Sequence, residues 1–171
     1  MNGFIGAGLA LVVAAGAAVG ASAGEVKKLG EAAGWEVAVN KDMGPGCLIE
    51  KQGEGWQIQL GVDALDAQPT GYMAVFAKTK AALGADEALP VNFEVGGKTF
   101  EGVAFGEKLG MFRRMEGYHG AWVPVNNPDF VYDLAKKEMM TITVEGMAPI
   151  QVSLAGTDAA FKALRDCQAA Q

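Results

Sequence analysis

The sequence predicts an α+β domain that is mainly antiparallel β, a β-sandwich or partly open barrel with one internal helix and a C-terminal helix. Three observations predict it. Apolar and polar residues alternate with period two along most of the chain, short turns rich in Gly separate these runs, and two later stretches carry helix-start signals. Short connections favour antiparallel neighbours, because a parallel pair needs a crossover of a dozen or more residues.

Residues 24–34 read as a short lead-in with a turn or so of helix. Trp35, Val37 and Val39 then alternate with Glu36, Ala38 and Asn40, the pattern of a half-buried strand. Gly44-Pro45-Gly46 is a turn, Cys47–Lys51 the returning strand, and Gly53-Glu54-Gly55 a second turn. Trp56, Ile58, Leu60 and Val62 alternate with Gln57, Gln59 and Gly61 in the cleanest strand of the chain. Tyr72–Ala77 is apolar on both faces and suits a central strand. Residues 78–88 read either as a short helix or as a loop interrupted by Gly84.

Val91, Phe93 and Val95 form the next strand, and Gly96-Gly97 supplies the positive backbone angles of a two-residue hairpin turn. That register sets Val95 opposite Lys98 and Phe93 opposite Phe100, an aromatic pair that helps fix it. Val103 and Phe105 fall on the opposite parity to Phe100, which predicts a bulge at Gly102. Asn127-Pro128-Asp129 opens a helix: Asn caps, Pro is tolerated at the first position, and Asp suits the positive end. Met140, Ile142 and Val144 alternate, and so do Ile150, Val152 and Leu154. Gly156-Thr157-Asp158 starts the last helix, in which Ala160, Phe161, Leu164 and Cys167 share one stripe facing the core. The sum is about eight or nine strands and two helices.

Residues 1–23 carry no charged side chain, and the apolar run from Phe4 to Val19 ends in Ala21-Ser22-Ala23, a small-x-small cleavage signature. This reads as a secretory signal peptide, although no Lys or Arg precedes the apolar run. An uncleaved anchor is the alternative, since about 20 apolar residues can span a bilayer. Cleavage leaves a single domain of residues 24–171, periplasmic or secreted, with no stable membrane anchor and a first residue near Gly24. Cys47 and Cys167 are the chain's two cysteines. In an oxidising compartment one intramolecular disulfide is expected between them.

The 171 residues carry 14 Lys+Arg against 20 Asp+Glu, a formal net charge of −6. With its positive charges scattered, the chain is unsuited to nucleic acid, which needs clustered Lys and Arg to replace phosphate counterions. Catalytic groups are few. His119 is the sole histidine and Ser153 the sole serine beyond the leader. A Ser–His–acid arrangement would have to use those two, and no nucleophile-elbow sequence is present. One His and two paired Cys make a poor zinc set. Asp63 with Asp66, and Asp86 with Glu87, lack the dense acidic loop of a calcium motif and read as solvated carboxylates. The eight Met, Met111 and Met115 among them, read as core filling rather than copper ligands. Nothing calls for a cofactor.

The segment Met111–Trp122 is the most suggestive one. It gathers Arg113, Arg114, Tyr118, His119 and Trp122 among glycines, the residue types enriched at binding hot spots. It reads either as an ordinary strand and loop packed on the core, or as a surface for an envelope protein, a glycan or an anionic small ligand. The preferred reading is a non-catalytic periplasmic accessory or binding protein that presents a disulfide-stapled β-surface to an envelope partner. A periplasmic enzyme of carboxylate or unrecognised type, and an inhibitor of an envelope hydrolase, are the alternatives.

The stretches Phe130-Val131-Tyr132-Asp133-Leu134, Met140-Thr141-Ile142-Thr143-Val144 and Val152–Phe161 together resemble the ending of the invasion-associated locus B family, or a related group of exported alphaproteobacterial proteins. Trp35-Glu36-Val37 followed by Cys47-Leu48-Ile49-Glu50 is similar to that family's opening. The resemblance implies an envelope protein with no established catalytic activity, and it carries over no functional residues.

Overall fold

The computed structural model describes residues 25–65, 67–78, 84, 87–106, 112–144 and 148–171. The leader, Asp66, Asp86, Met111 and most of the 78–88 stretch lie outside these. Ten strands form along the described chain: β1 (Val26–Ala32), β2 (Trp35–Asn40), β3 (Gly46–Gly53), β4 (Trp56–Asp63), β5 (Thr70–Ala77), β6 (Ala88–Val95), β7 (Lys98–Gly106), β8 (His119–Val125), β9 (Met139–Val144) and β10 (Ile150–Ser153). Helix α1 (Pro128–Lys136) precedes β9, and α2 (Thr157–Ala169) follows β10. All strand pairs are antiparallel, in the order β1-β2-β3-β4-β5-β8-β7-β6-β9-β10. The mainly β, α+β expectation holds, as one open sheet with a mid-chain and a C-terminal helix.

The sheet curls around a single main core. β10 comes against β4 although five strands separate them in sheet order. Trp35, Ile49, Ile58, Met73, Phe93, Met140 and Val152 point to the concave side, where α2 packs across β1–β3 and α1 packs beside β6 and α2. The period-two pattern is the cause: one face of each strand must leave water, and curvature lets one sheet bury it against itself.

Two expectations are corrected. The lead-in is strand β1, paired with β2 through a tight turn at Ala33 (φ 49°) and Gly34 (φ 82°). Its register shifts between Lys28 and Gly30, which scrambles the alternation and leaves Leu29 exposed. At Gly102 no bulge forms, and β6–β7 pairing runs unbroken from Ala88↔Phe105 to Val95↔Lys98. The change of parity has another origin. Phe105 finds cover on the convex face from the Trp122 ring, 5.6 Å away, so an apolar residue is stable on that side too.

The hairpin turn is as expected, with Gly96 at φ 59° and Gly97 at φ 80°, and Phe93 stands opposite Phe100. Phe130 of α1 seals that pair from the concave side, with centroids 5.3 Å from Phe93 and 5.0 Å from Phe100. Asn127 caps α1, its Oδ1 accepting from the Asp129 and Phe130 N–H groups at 3.0 and 3.3 Å.

Cys47 and Cys167 are bonded, joining β3 to α2 across 120 positions of sequence. Their surroundings reinforce the joint. The Cys47 N–H donates to Gln168 Oε1 at 2.8 Å. The Trp35 indole N–H and Lys51 Nζ both donate to the Ala155 carbonyl, at 3.1 and 2.8 Å. No described helix is long and apolar enough to cross a membrane.

Candidate functional site

The five residues singled out in the sequence divide among three environments, and all are partly buried. Residues 112–118 run across the convex face of the sheet as a strap. The strap's Phe112 inserts between Tyr72 and Phe76 of β5, at 5.3 and 6.0 Å between centroids. Trp122 of β8 borders the same cluster, 6.4 Å from Phe112, and Tyr118 packs against it.

Arg113 turns toward the sheet. Its Nη2 meets Glu36 Oε1 at 2.5 Å and Glu50 Oε1 at 3.3 Å. The Arg113 carbonyl accepts from the side-chain amides of Gln57, at 3.0 Å, and Gln59. Gln57 Oε1 in turn accepts the Met115 N–H at 3.0 Å, and Gln59 Nε2 also donates to Glu50 Oε2 at 2.9 Å. These polar side chains come from the outward positions of β2, β3 and β4, which face one another by register: Glu36↔Glu50 and Glu50↔Gln59. The strap buries them, and Glu50 is left only 3% exposed. In the alternation of β4, Gln57 and Gln59 are the polar positions, and the structure buries both. The cross-strand stacking of Glu50 on Gln59 was the available signal. Burial and the nearby Asp63 and Glu50 charges raise the Tyr72 hydroxyl well above the usual tyrosine range. Desolvation alone would raise the Glu36 carboxyl, but the bonds and charges of Arg113 and then Lys28 hold it below its ordinary value.

His119 and Arg114 lie elsewhere. His119 projects from β8 to the concave side, in line with Ala121 and Val123, and lines an apolar pocket of about 80 Å³ between β5, β8 and β6, β9, β10. Arg114 Nη1 lies 3.4 Å from His119 Nδ1 and donates to the Tyr118 carbonyl at 3.2 Å. Ser153 Oγ accepts from Ala155 N–H at 3.4 Å, so among the described residues serine and histidine do not meet. No group of three or more His, Cys, Asp or Glu among the described residues is placed to hold a metal ion.

A second opening interrupts the sheet itself. β7 meets β8 only at Phe105↔Trp122 and Gly106↔Ala121, and the two strands diverge below that joint. The resulting cleft, about 280 Å³, is lined by Phe93, Phe100, Glu101, Gly102, Val103, Val123, Val125 and Phe130 among others. The orientation of its backbone follows from the hairpin. Val95 and Lys98 close a two-residue turn, and the Gly106 N–H donates to the Glu87 carbonyl at 3.1 Å, so the even-numbered residues of β7 bond to β6. Thr99, Glu101 and Val103 therefore turn their N–H and C=O groups to the cleft. Val103 is 47% exposed beside it. The sequence shows this segment only as the return strand of the Gly96-Gly97 hairpin, with a bulge expected at Gly102, and its position at a split in the sheet depends on long-range pairing that no local pattern encodes. Comparisons with protein-family models, with curated proteins and with solved structures find no match for this chain.

Proposed function

We propose that this is a non-catalytic, exported accessory protein that binds an extended segment of an envelope protein by strand addition in the β7–β8 cleft. The observation that carries the reading is the outward-turned backbone of Thr99, Glu101 and Val103 facing a trough whose lining is mainly apolar, with Glu101, Asn126 and Asn127 as its polar members. An open strand edge offers main-chain hydrogen bonds to any extended chain, and side-chain pockets at alternate positions supply selectivity. Here the inward-facing side chains of the guest would meet Phe93, Phe100 and Phe130, while the outward-facing ones would lie beside Glu101 and Val103. The stapled scaffold supports such a role because a rigid edge loses little entropy on binding. Export to the periplasm or beyond is part of the proposal, supported by the disulfide between Cys47 and Cys167.

The test is an array of short overlapping peptides covering the exported proteins of the same organism, probed with wild type and with Val103→Pro. Proline deletes a cleft-facing N–H and leaves the bonds to β6 in place. A subset of peptides should bind wild type, shift the Thr99, Glu101 and Val103 amide resonances, and bind the variant at least tenfold more weakly. If no peptide binds, or the variant binds the same peptides equally well, the proposal is wrong.

A further inference from the structure

The kind of segment that the β7–β8 cleft selects can be read from its lining, on the footing of the strand-addition reading above. Glu101 is the one charged side chain among the described residues that line the cleft. It is exposed and has no ion-pair partner among the described residues. Its neighbours do not neutralise it. Asn92 of β6 stands opposite Glu101 and Glu94 opposite Thr99, so Glu94 and Glu101 are diagonal neighbours on the convex face. Lys98, the cation nearest in sequence, is engaged on the concave side by Asp133 of α1 at 2.8 Å.

The cleft-facing backbone fixes what a guest strand sets against these groups. Successive side chains of β7 point to opposite faces. A guest residue bonded to the backbone of Glu101 therefore turns outward and lies beside its carboxylate, with the two Cβ atoms about 5.5 Å apart. An acidic residue there would face Glu101 directly and Glu94 beyond it, and like charges set opposite each other destabilise a strand pair. A Lys or Arg there gains from both. The next guest residue, against Gly102, turns inward. No β7 side chain fills that position, and the walls are Phe93, Phe100 and Phe130. The residue after it turns outward again, beside the exposed Val103. The chain's net charge of −6 acts in the same sense at longer range.

We propose that the cleft selects segments of exported proteins with three consecutive features: a Lys or Arg that pairs with Glu101, a large apolar residue that enters the trough, and an apolar residue that covers Val103.

The experiment titrates the intact, oxidised protein with blocked eight-residue peptides of Thr and Val. Each carries a trio of a variable residue, Phe and Val, in that order or reversed, and the variable residue is Lys, Gln or Glu. Amide shifts of Thr99, Glu101 and Val103 report binding in the cleft. In at least one of the two orders the Lys peptide should bind about threefold more tightly than the Gln peptide and about tenfold more tightly than the Glu peptide, the range of cross-strand charge pairs. About 0.5 M NaCl should shrink that preference. Glu101→Gln should abolish it, and Glu101→Lys, a change at an exposed position, should reverse it. Binding in the cleft without a preference for Lys, or a preference that survives in Glu101→Lys, overturns this proposal and leaves strand addition standing. If no peptide binds, or the shifts fall only on residues outside the cleft, the strand-addition reading fails and this proposal fails with it.

Discussion

Arg113 stands 3.3 Å from Glu50, a carboxylate that the strap removes almost wholly from water. The pairing makes the strap part of the fold's interior chemistry. Removing the guanidinium leaves Glu50 and Glu36 facing each other across β2 and β3 with no arginine between them. Breaking a fully buried pair costs about 3–5 kcal/mol, and the 31% exposure of the Arg113 side chain lowers that figure. Arg113→Ala should therefore cost about 2–3 kcal/mol in urea unfolding. An unchanged midpoint would return Arg113 to the class of dispensable surface charges.

Acid should act on the same network. The Glu36 carboxyl is held below its unfolded value, so the folded state binds its proton less readily than the unfolded chain does. Its contribution to stability is complete above the unfolded carboxyl range and is lost as pH falls through the lowered folded value. Melting temperature should decline below about pH 4.5, and Glu36→Gln should flatten that decline while lowering stability at pH 7. A Gln variant with the wild-type acid profile would place the acid-sensitive group elsewhere.

The tail is held by more than sulfur. The disulfide closes a 120-position separation, for which removal costs about 2–4 kcal/mol in typical proteins. The bonds to Gln168 and Ala155 do not involve either sulfur. Cys47→Ala with Cys167→Ala should therefore lower stability by about 2–4 kcal/mol yet leave α2 docked, seen as native amide shifts for Gln168 and the Trp35 indole. Loss of those shifts would make the disulfide the sole anchor.

Gly156 offers a more local test. Its φ is +84°, and a Cβ there would come within 2.2 Å of the Ala33 carbonyl oxygen. Backbone on both sides of the contact cannot yield by rotating a side chain. Gly156→Ala should cost more than the roughly 1 kcal/mol of a left-handed alanine alone, and the loss should appear with faster amide exchange at the Ala33–Gly34 turn. A cost near that baseline would mean that the tail shifts freely.

Sequence and structure agree where the information is local. Phe93 opposite Phe100, the Gly96-Gly97 turn and the Asn127 cap each depend on a few neighbouring residues, and each is found. The Cys47–Cys167 bond was legible because two cysteines allow one pairing and the α2 stripe aims Cys167 inward. β1 was missed because a register shift mid-strand destroys its alternation. In the candidate site, the richness of residues 111–122 in Arg and aromatics was visible, but its division was not. Whether Arg113 meets water or Glu50 depends on a strap crossing strands more than fifty positions away. The β7–β8 split is likewise a property of pairing between distant segments.

Trp122 links that split to the strap. Its ring packs on Phe105 at the two-pair joint between β7 and β8, and on Phe112 of the strap. The joint that bounds the cleft is therefore held by an aromatic contact as well as by backbone pairing. Trp122→Ala removes that contact, and a large-to-small change of an aromatic costs about 3 kcal/mol or more when the ring is buried and somewhat less here, where it is partly exposed. The joint is short, so the loss should be local in its effects. Amides of Phe105, Gly106 and Ala121 should exchange faster, while those of β3 and β4, bonded on both sides, keep wild-type protection. Uniform loss of protection across all ten strands would show instead that the two halves of the sheet unfold as one unit, and that the cleft cannot open without melting the core.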